Sequence, residues 1–104
     1  MSIEVARVAE DMSVEELVQD TQQILSTVAT DSWSKLADSK TLQFIDPWGD
    51  TLFNQAQIPV LMKEIEEFGA TVMSLEIREH LSRIHRLVAG TVGMVHTYIR
   101  FIGD

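Results

Sequence analysis

The chain contains no cysteine. That absence removes disulfides, thiolate metal sites, iron–sulfur clusters and cysteine nucleophiles from consideration. It also suits a reducing compartment. Long apolar runs are missing: no stretch approaches the ~18 residues that mark a membrane span. The opening residues, Met1 to Val5, have neither the basic start nor the apolar middle of a secretory signal, so the cytoplasm is the expected location. The five glycines (Gly49, Gly69, Gly90, Gly93 and Gly103) build neither a Walker sequence nor a dinucleotide fingerprint. Gly90 and Gly93 follow a helical stretch instead of opening one, which is the wrong side for a phosphate. No cofactor is expected.

Basic residues are scarce. Eight Lys and Arg face sixteen Asp and Glu, for a net charge of −8. Phosphate backbones and anionic membranes are held by clustered cations, so neither nucleic acid nor a membrane surface is the expected partner. The balance is uneven along the chain. Residues 1–69 hold four basic and thirteen acidic groups, a net of −9; residues 70–104 hold four and three, a net of +1. An acidic surface of this kind favours encounter with a basic protein.

What is present describes one ordinary globular domain over residues 1–104, 45% apolar and 23% charged. Ile3, Glu4 and Val5 alternate as in a strand, giving β over 2–8. Ser13 and Glu16 form a capping box, and Val14, Leu17, Val18, Thr21, Ile24, Leu25 and Val28 follow at helical spacing. This predicts a helix over 13–29, with Gln19 and Asp20 off its apolar face. Trp33 and Leu36 then cover the core edge. Residues 41–53 read as a β-hairpin, because Asp46, Pro47 and Gly49 occupy the positions a type I turn prefers. Ile58 and Pro59 open a helix that ends at Gly69. A longer helix runs from Ser74 with Ile77, Leu81, Ile84, Val88, Thr91 and Val95 three or four apart, its last turns weakened by Gly90 and Gly93. Tyr98, Arg100 and Ile102 alternate with Ile99 and Phe101 in a closing strand. The order β-α-β-β-α-α-β predicts an α+β fold: a small, mostly antiparallel sheet of three or four short strands, with about three helices on one face.

Two segments, Phe44 to Asn54 (FIDPWGDTLFN) and Tyr98 to Asp104 (YIRFIGD), resemble a group of short bacterial proteins. These share an aromatic-x-Asp-Pro-x-Gly-Asp-Thr-x-Phe-Asn segment and a Phe-Ile-Gly-Asp ending. The group has no assigned activity, so the resemblance implies a bacterial, cytoplasmic origin and carries no chemistry with it.

Candidate chemistry is thin. Asp46, Asp50 and Asp104 flank turns or the chain end; convergence with His96 would give a cation site or a carboxylate pair for a metal-dependent hydrolase. Separately, Asp46 and Asp50 have ordinary roles in turn hydrogen bonding. His80 and His85 point about 140° apart on a helix, unlike a chelating pair. Glu76 and His80 are one turn apart but supply only two ligands. The three histidines are expected at or near the surface, beside neighbouring acids. Ser82 and His85 lack the context of a catalytic serine. Arg78, Arg83 and Arg86 form a modest basic patch interrupted by Glu76 and Glu79. Trp48, at a turn, is the residue most suited to anchor a partner. The functional expectation is therefore a non-enzymatic interaction or regulatory module. Its contact residues would be Trp48, Phe53, Asp46, Asp50, Arg78 and Arg86, and its partner another protein or a second copy.

Overall fold

The computed structural model describes residues 2–103. Strand β1 (Ile3–Ala9) is followed by β2 (Val14–Val18), helix α1 (Ile24–Asp31), two single-turn 3₁₀ segments (Trp33–Lys35 and Leu42–Phe44), β3 (Asp50–Phe53), α2 (Ile58–Gly69), α3 (Leu75–Ala89) and β4 (Thr97–Gly103). The four strands form one antiparallel sheet in the order β2-β1-β4-β3. The fold is α+β, as the sequence pattern predicts. Asp104, placed in the closing strand and among the candidate carboxylates, lies outside the described residues.

The helices cover one face of the sheet. Ile3 and Val5 of β1, Ile99 and Phe101 of β4 and Phe53 of β3 join Leu25, Leu61, Ile65, Ile84 and Val88 in a single buried cluster. Trp33 is at its centre, not at the core edge. It is fully buried and packs edge-on against Phe68 and Phe101 at 5.9 and 6.4 Å, while Phe53 meets Phe101 at 5.8 Å.

Helix α2 follows its sequence pattern, whereas α3 stops at Ala89 with Gly90 as its C-cap, short of the predicted turns through Thr91 and Val95. Pro59 sits in the first turn of α2, where its missing N–H costs nothing. Ser74 caps α3 by accepting from the Ile77 N–H at 3.3 Å. The far end of α3 is tied to the sheet by Arg7. That guanidinium donates to the Thr91 hydroxyl at 2.8 Å and the Leu87 carbonyl at 3.4 Å, and pairs with Glu16 at 3.0 Å.

The helix predicted over 13–29 is two elements. Residues 14–18 are strand β2, and only 24–31 are helical. The register explains the misreading. Arg7 faces Glu16 and Val8 faces Val14, so Glu15 is an extra residue in a β-bulge. The bulge places Val14 and Leu17, three apart, on the same face of a strand. An i, i+3 spacing that imitates a helix is thus produced by one extra strand residue. Ser13 does not cap a helix; its N–H and hydroxyl both donate to Asp11, at 3.0 and 2.6 Å, inside the β1–β2 turn.

The predicted 41–53 hairpin is also corrected. Its turn exists: Asp46 Oδ1 accepts from the Trp48 N–H at 2.9 Å. Its second strand is β3, but β3 pairs with β4 and not with 41–45. Residues 42–44 form a 3₁₀ turn fixed by α2. The Glu64 carboxylate accepts from the N–H groups of Lys40, Thr41 and Leu42 at 2.7, 2.9 and 3.3 Å, and from the Thr41 hydroxyl. Partial burial disfavours the ionised form of Glu64, but these donors outweigh it and hold its pKa below 4.5. The turn at 46–49 instead crosses the end of β4. The Gly103 N–H donates to the Gly49 carbonyl at 2.8 Å, and a Cβ on Gly103 would lie 2.5 Å from the Pro47 carbonyl oxygen. The turn at 46–49 and the end of β4 therefore meet in space, and Gly103 is the condition of their close approach.

Candidate functional site

Side chains alternate across a sheet, so one face of these four strands remains after the helices have taken the other. Three cross-strand rows define it. Tyr98, Val8 and Val14 form the first; Leu52, Arg100, Ala6 and Leu17 the second; Asp50, Ile102 and Glu4 the third. Ala6 and Val8 are fully buried, lie outside the helix-packed cluster, and are flanked in these rows by neighbours from the adjoining strands. Those neighbours are themselves open to solvent: Val14 is 53% exposed, Leu52 45% and Leu17 38%. Tyr98 and Ile102 are half-buried. The only basic group in the three rows, Arg100, is paired with Asp50 across β3 and β4, its Nε donating at 3.1 Å.

The structure disperses the residues singled out from sequence. Trp48 is 68% exposed on the turn that leads into edge strand β3, and Phe44 nearby is exposed too. Asp46 is occupied in its own turn, and Asp50 with Arg100. Phe53 is a correction: it faces the core against Phe101 and cannot contact a partner. Arg78 and Arg86 are exposed on α3, on the helical side of the molecule. The proposed carboxylate–histidine centre is not assembled. Asp50 pairs with Ile102, whereas His96 precedes the first residue of β4, Thr97, which is five residues and about 17 Å along the strand from Ile102. Among the described residues no group of three metal-ligating side chains comes together. His85 and His96 sit beside acids near the surface, meeting Glu66 at 2.8 Å and Glu10 at 3.3 Å, whereas His80 is buried and not, as the sequence suggests, at or near the surface.

No protein-family model matches the chain, and neither a curated protein nor a solved structure is detectably similar to it.

One polar cluster escaped the sequence reading. Asp20 and His80 are each only 3% exposed, and His80 Nε2 lies 3.6 Å from Asp20 Oδ1. Asp20 links three elements. Its carboxylate accepts from the Ile3 N–H of β1 at 3.1 Å and the Leu25 N–H of α1 at 3.1 Å, and it faces His80 of α3. Arg83 Nη2 lies 3.2 Å from His80 Nδ1. A guanidinium can only donate, so Nδ1 accepts and the neutral ring carries its proton on Nε2. That N–H points toward Asp20 at more than hydrogen-bond length and has no partner among the described residues. Burial lowers the His80 pKa below 6.5; Asp20 opposes the shift and Arg83 adds to it. The ring is therefore neutral at pH 7. Beside it lies a polar cleft of about 480 Å³ between α3 and the chain entering α1, lined by Gln19, Thr21, Glu76, Glu79 and Arg83. Asp20, with His80 beside it, thereby joins β1, α1 and α3.

Two sequence signals pointed to this cluster. Asp20 precedes Gln23 by three residues just before an apolar run, a second helix-start signature. His80 lies three residues after Ile77 and four before Ile84, on the inward stripe of α3.

Proposed function

We propose that this protein is a binding module without catalytic function of its own, acting in the bacterial cytoplasm by docking another protein on the open face of its sheet. One observation carries the reading: on the face that no helix covers, Val14, Leu17 and Leu52 stand exposed at the two edges of the sheet, with half-buried Tyr98 and Ile102 and buried Ala6 and Val8 between them. Apolar side chains scattered singly are normal on any surface, whereas several exposed on one sheet face cost solubility unless something covers them. Trp48 and Phe44 extend the exposed apolar surface on the chain leading into β3. Aromatic residues of this kind are common anchors at protein interfaces.

Two further features fit. No helix among the described residues is long and apolar enough to cross a membrane. The net charge of −8 disfavours nucleic acid and anionic lipid as the covering surface. The reading is tested by co-purification from the source cell with tagged wild type, Leu17→Asp/Leu52→Asp, and Arg86→Ala. The expected result is a partner retained by wild type and by Arg86→Ala but lost from the sheet-face variant, whose far-ultraviolet circular dichroism is unchanged. A partner lost from Arg86→Ala and kept by the sheet-face variant overturns it.

A further inference from the structure

The chemistry of the partner follows from the size and the border of this face. In projection, four strands about 4.8 Å apart and about five residues long at ~3.3 Å each span about 19 by 17 Å, or about 300 Å². A stable protein interface takes about 800 Å² from each partner. The apolar rows alone are too small, so any tight complex must also engage their border.

That border is acidic. Glu4 and Asp50 flank Ile102 within the third row itself. The β1–β2 hairpin at the edge adds Glu10, Asp11 and Glu15, all exposed. The cations nearby are already engaged: Arg100 is held by Asp50, and Arg7 turns to the other face to reach Glu16 and Thr91. Two copies of this chain meeting face to face would bring acidic border against acidic border, and like charges brought together at an interface are a strong penalty.

We propose that the occupant of the open face is a basic protein, presenting an apolar ridge flanked by lysine or arginine, and not a second copy of this chain. The inference rests on the open face being the binding surface. The apolar rows receive the ridge, and the carboxylates of the hairpin and of Glu4 receive the flanking cations. The same carboxylates speed encounter at low ionic strength, where charges separated by more than about 10 Å still interact.

The test uses the full-length protein, isotope-labelled for amide NMR, and two synthetic probes of equal length. One is a leucine–lysine peptide with a single apolar helical face; the other replaces every lysine with glutamate. The leucine–lysine peptide is expected to shift amides of β1, β2, β3 and β4. Its affinity should fall about tenfold between low and physiological salt, and about tenfold in Leu17→Ser/Leu52→Ser, while the glutamate peptide does not bind. If the double variant fails to fold, Leu52→Ser alone, on an edge strand, supplies the comparison. Equal binding of both peptides to the face overturns the basic partner and leaves the face itself standing. A dimer by light scattering, with the same amides broadening as concentration rises, also overturns the basic partner in favour of a second copy. Shifts confined to α2 or α3, or no binding by either peptide to a monomer, overturn the face as well.

Discussion

Replacing Asp20 by alanine should be among the most damaging single substitutions at a polar position of this protein. The carboxylate is inaccessible and gathers β1, α1 and α3 around two backbone donors, Ile3 N–H and Leu25 N–H, each at 3.1 Å. Alanine leaves both donors buried without an acceptor. Each such group costs about 1–3 kcal/mol, so the expected loss is about 3–5 kcal/mol. A domain of this size has about 5–15 kcal/mol in total, and each kcal/mol moves Tm by about 4–8 °C. A fall in Tm of at least about 12 °C follows. Asp20→Asn is the control: its carbonyl oxygen can still accept from Leu25, but its amide group turns a donor toward Ile3 N–H or His80 Nε2–H. Its cost should be intermediate, about 1–3 kcal/mol. The assay is urea unfolding followed by circular dichroism, with the dependence on urea unchanged so that midpoints compare directly. The account of Asp20 as the joint of three elements is refuted if Asp20→Ala loses less than about 1 kcal/mol, or if Asn and Ala cost the same.

Three other outcomes follow from named contacts. Because the fold keeps His80 neutral and its pKa below 6.5, the unfolded chain binds that proton more readily; stability is therefore lost as pH falls below 6.5, and unfolding curves of His80→Leu should lack this component while matching wild type within about 1 kcal/mol at pH 7.5. Gly103→Val should cost about 1–3 kcal/mol and expose the amides of Gly49 and Asp50 to hydrogen exchange, because its Cβ would displace the Pro47–Gly49 turn; unchanged protection there would contradict the close approach. Trp48→Ala should change stability by less than about 0.5 kcal/mol and Phe53→Ala by about 3–5 kcal/mol, a contrast read from thermal unfolding that separates the exposed aromatic from the core one.

Much of the architecture was legible because the relevant periodicities are strong and uninterrupted. The inward stripe of α2 (Ile58, Leu61, Ile65) and that of α3 (Leu81, Ile84, Val88) admit only a helix, and the alternation from Thr97 onward admits only a strand. The failures share a physical origin: in each, a local pattern was satisfied by a distant contact. Val14 and Leu17 share a face because Glu15 bulges out of the pairing with β1, and no property of residues 13–18 alone distinguishes that from a helix. Residues 42–44 coil because Glu64, more than twenty positions later, accepts their N–H groups. The turn at Asp46 to Gly49 was recognised correctly from its own residues, but which strand β3 would join depended on β4.

The candidate surface was harder to read than the fold for a related reason. Trp48 could be singled out by type and turn position, and it is indeed exposed. The open sheet face could not, since Val14 and Leu17 were assigned to the buried stripe of a helix, and Leu52 and Phe53 exchange roles only once β3 is paired. Leu52 then points outward and Phe53 inward. Asp20 was hidden by the same misassigned helix, which placed it in solvent.

The central claim, that the uncovered face of the sheet is where this protein binds another, is tested most directly by photo-crosslinking in the source cell. A photoreactive amino acid is placed in turn at positions 17 and 52 on the open face, and at 78 and 86 on α3. The account predicts one discrete adduct, shared by positions 17 and 52 and absent from 78 and 86, containing a basic protein. Adducts from 78 and 86 with none from 17 and 52 would contradict it.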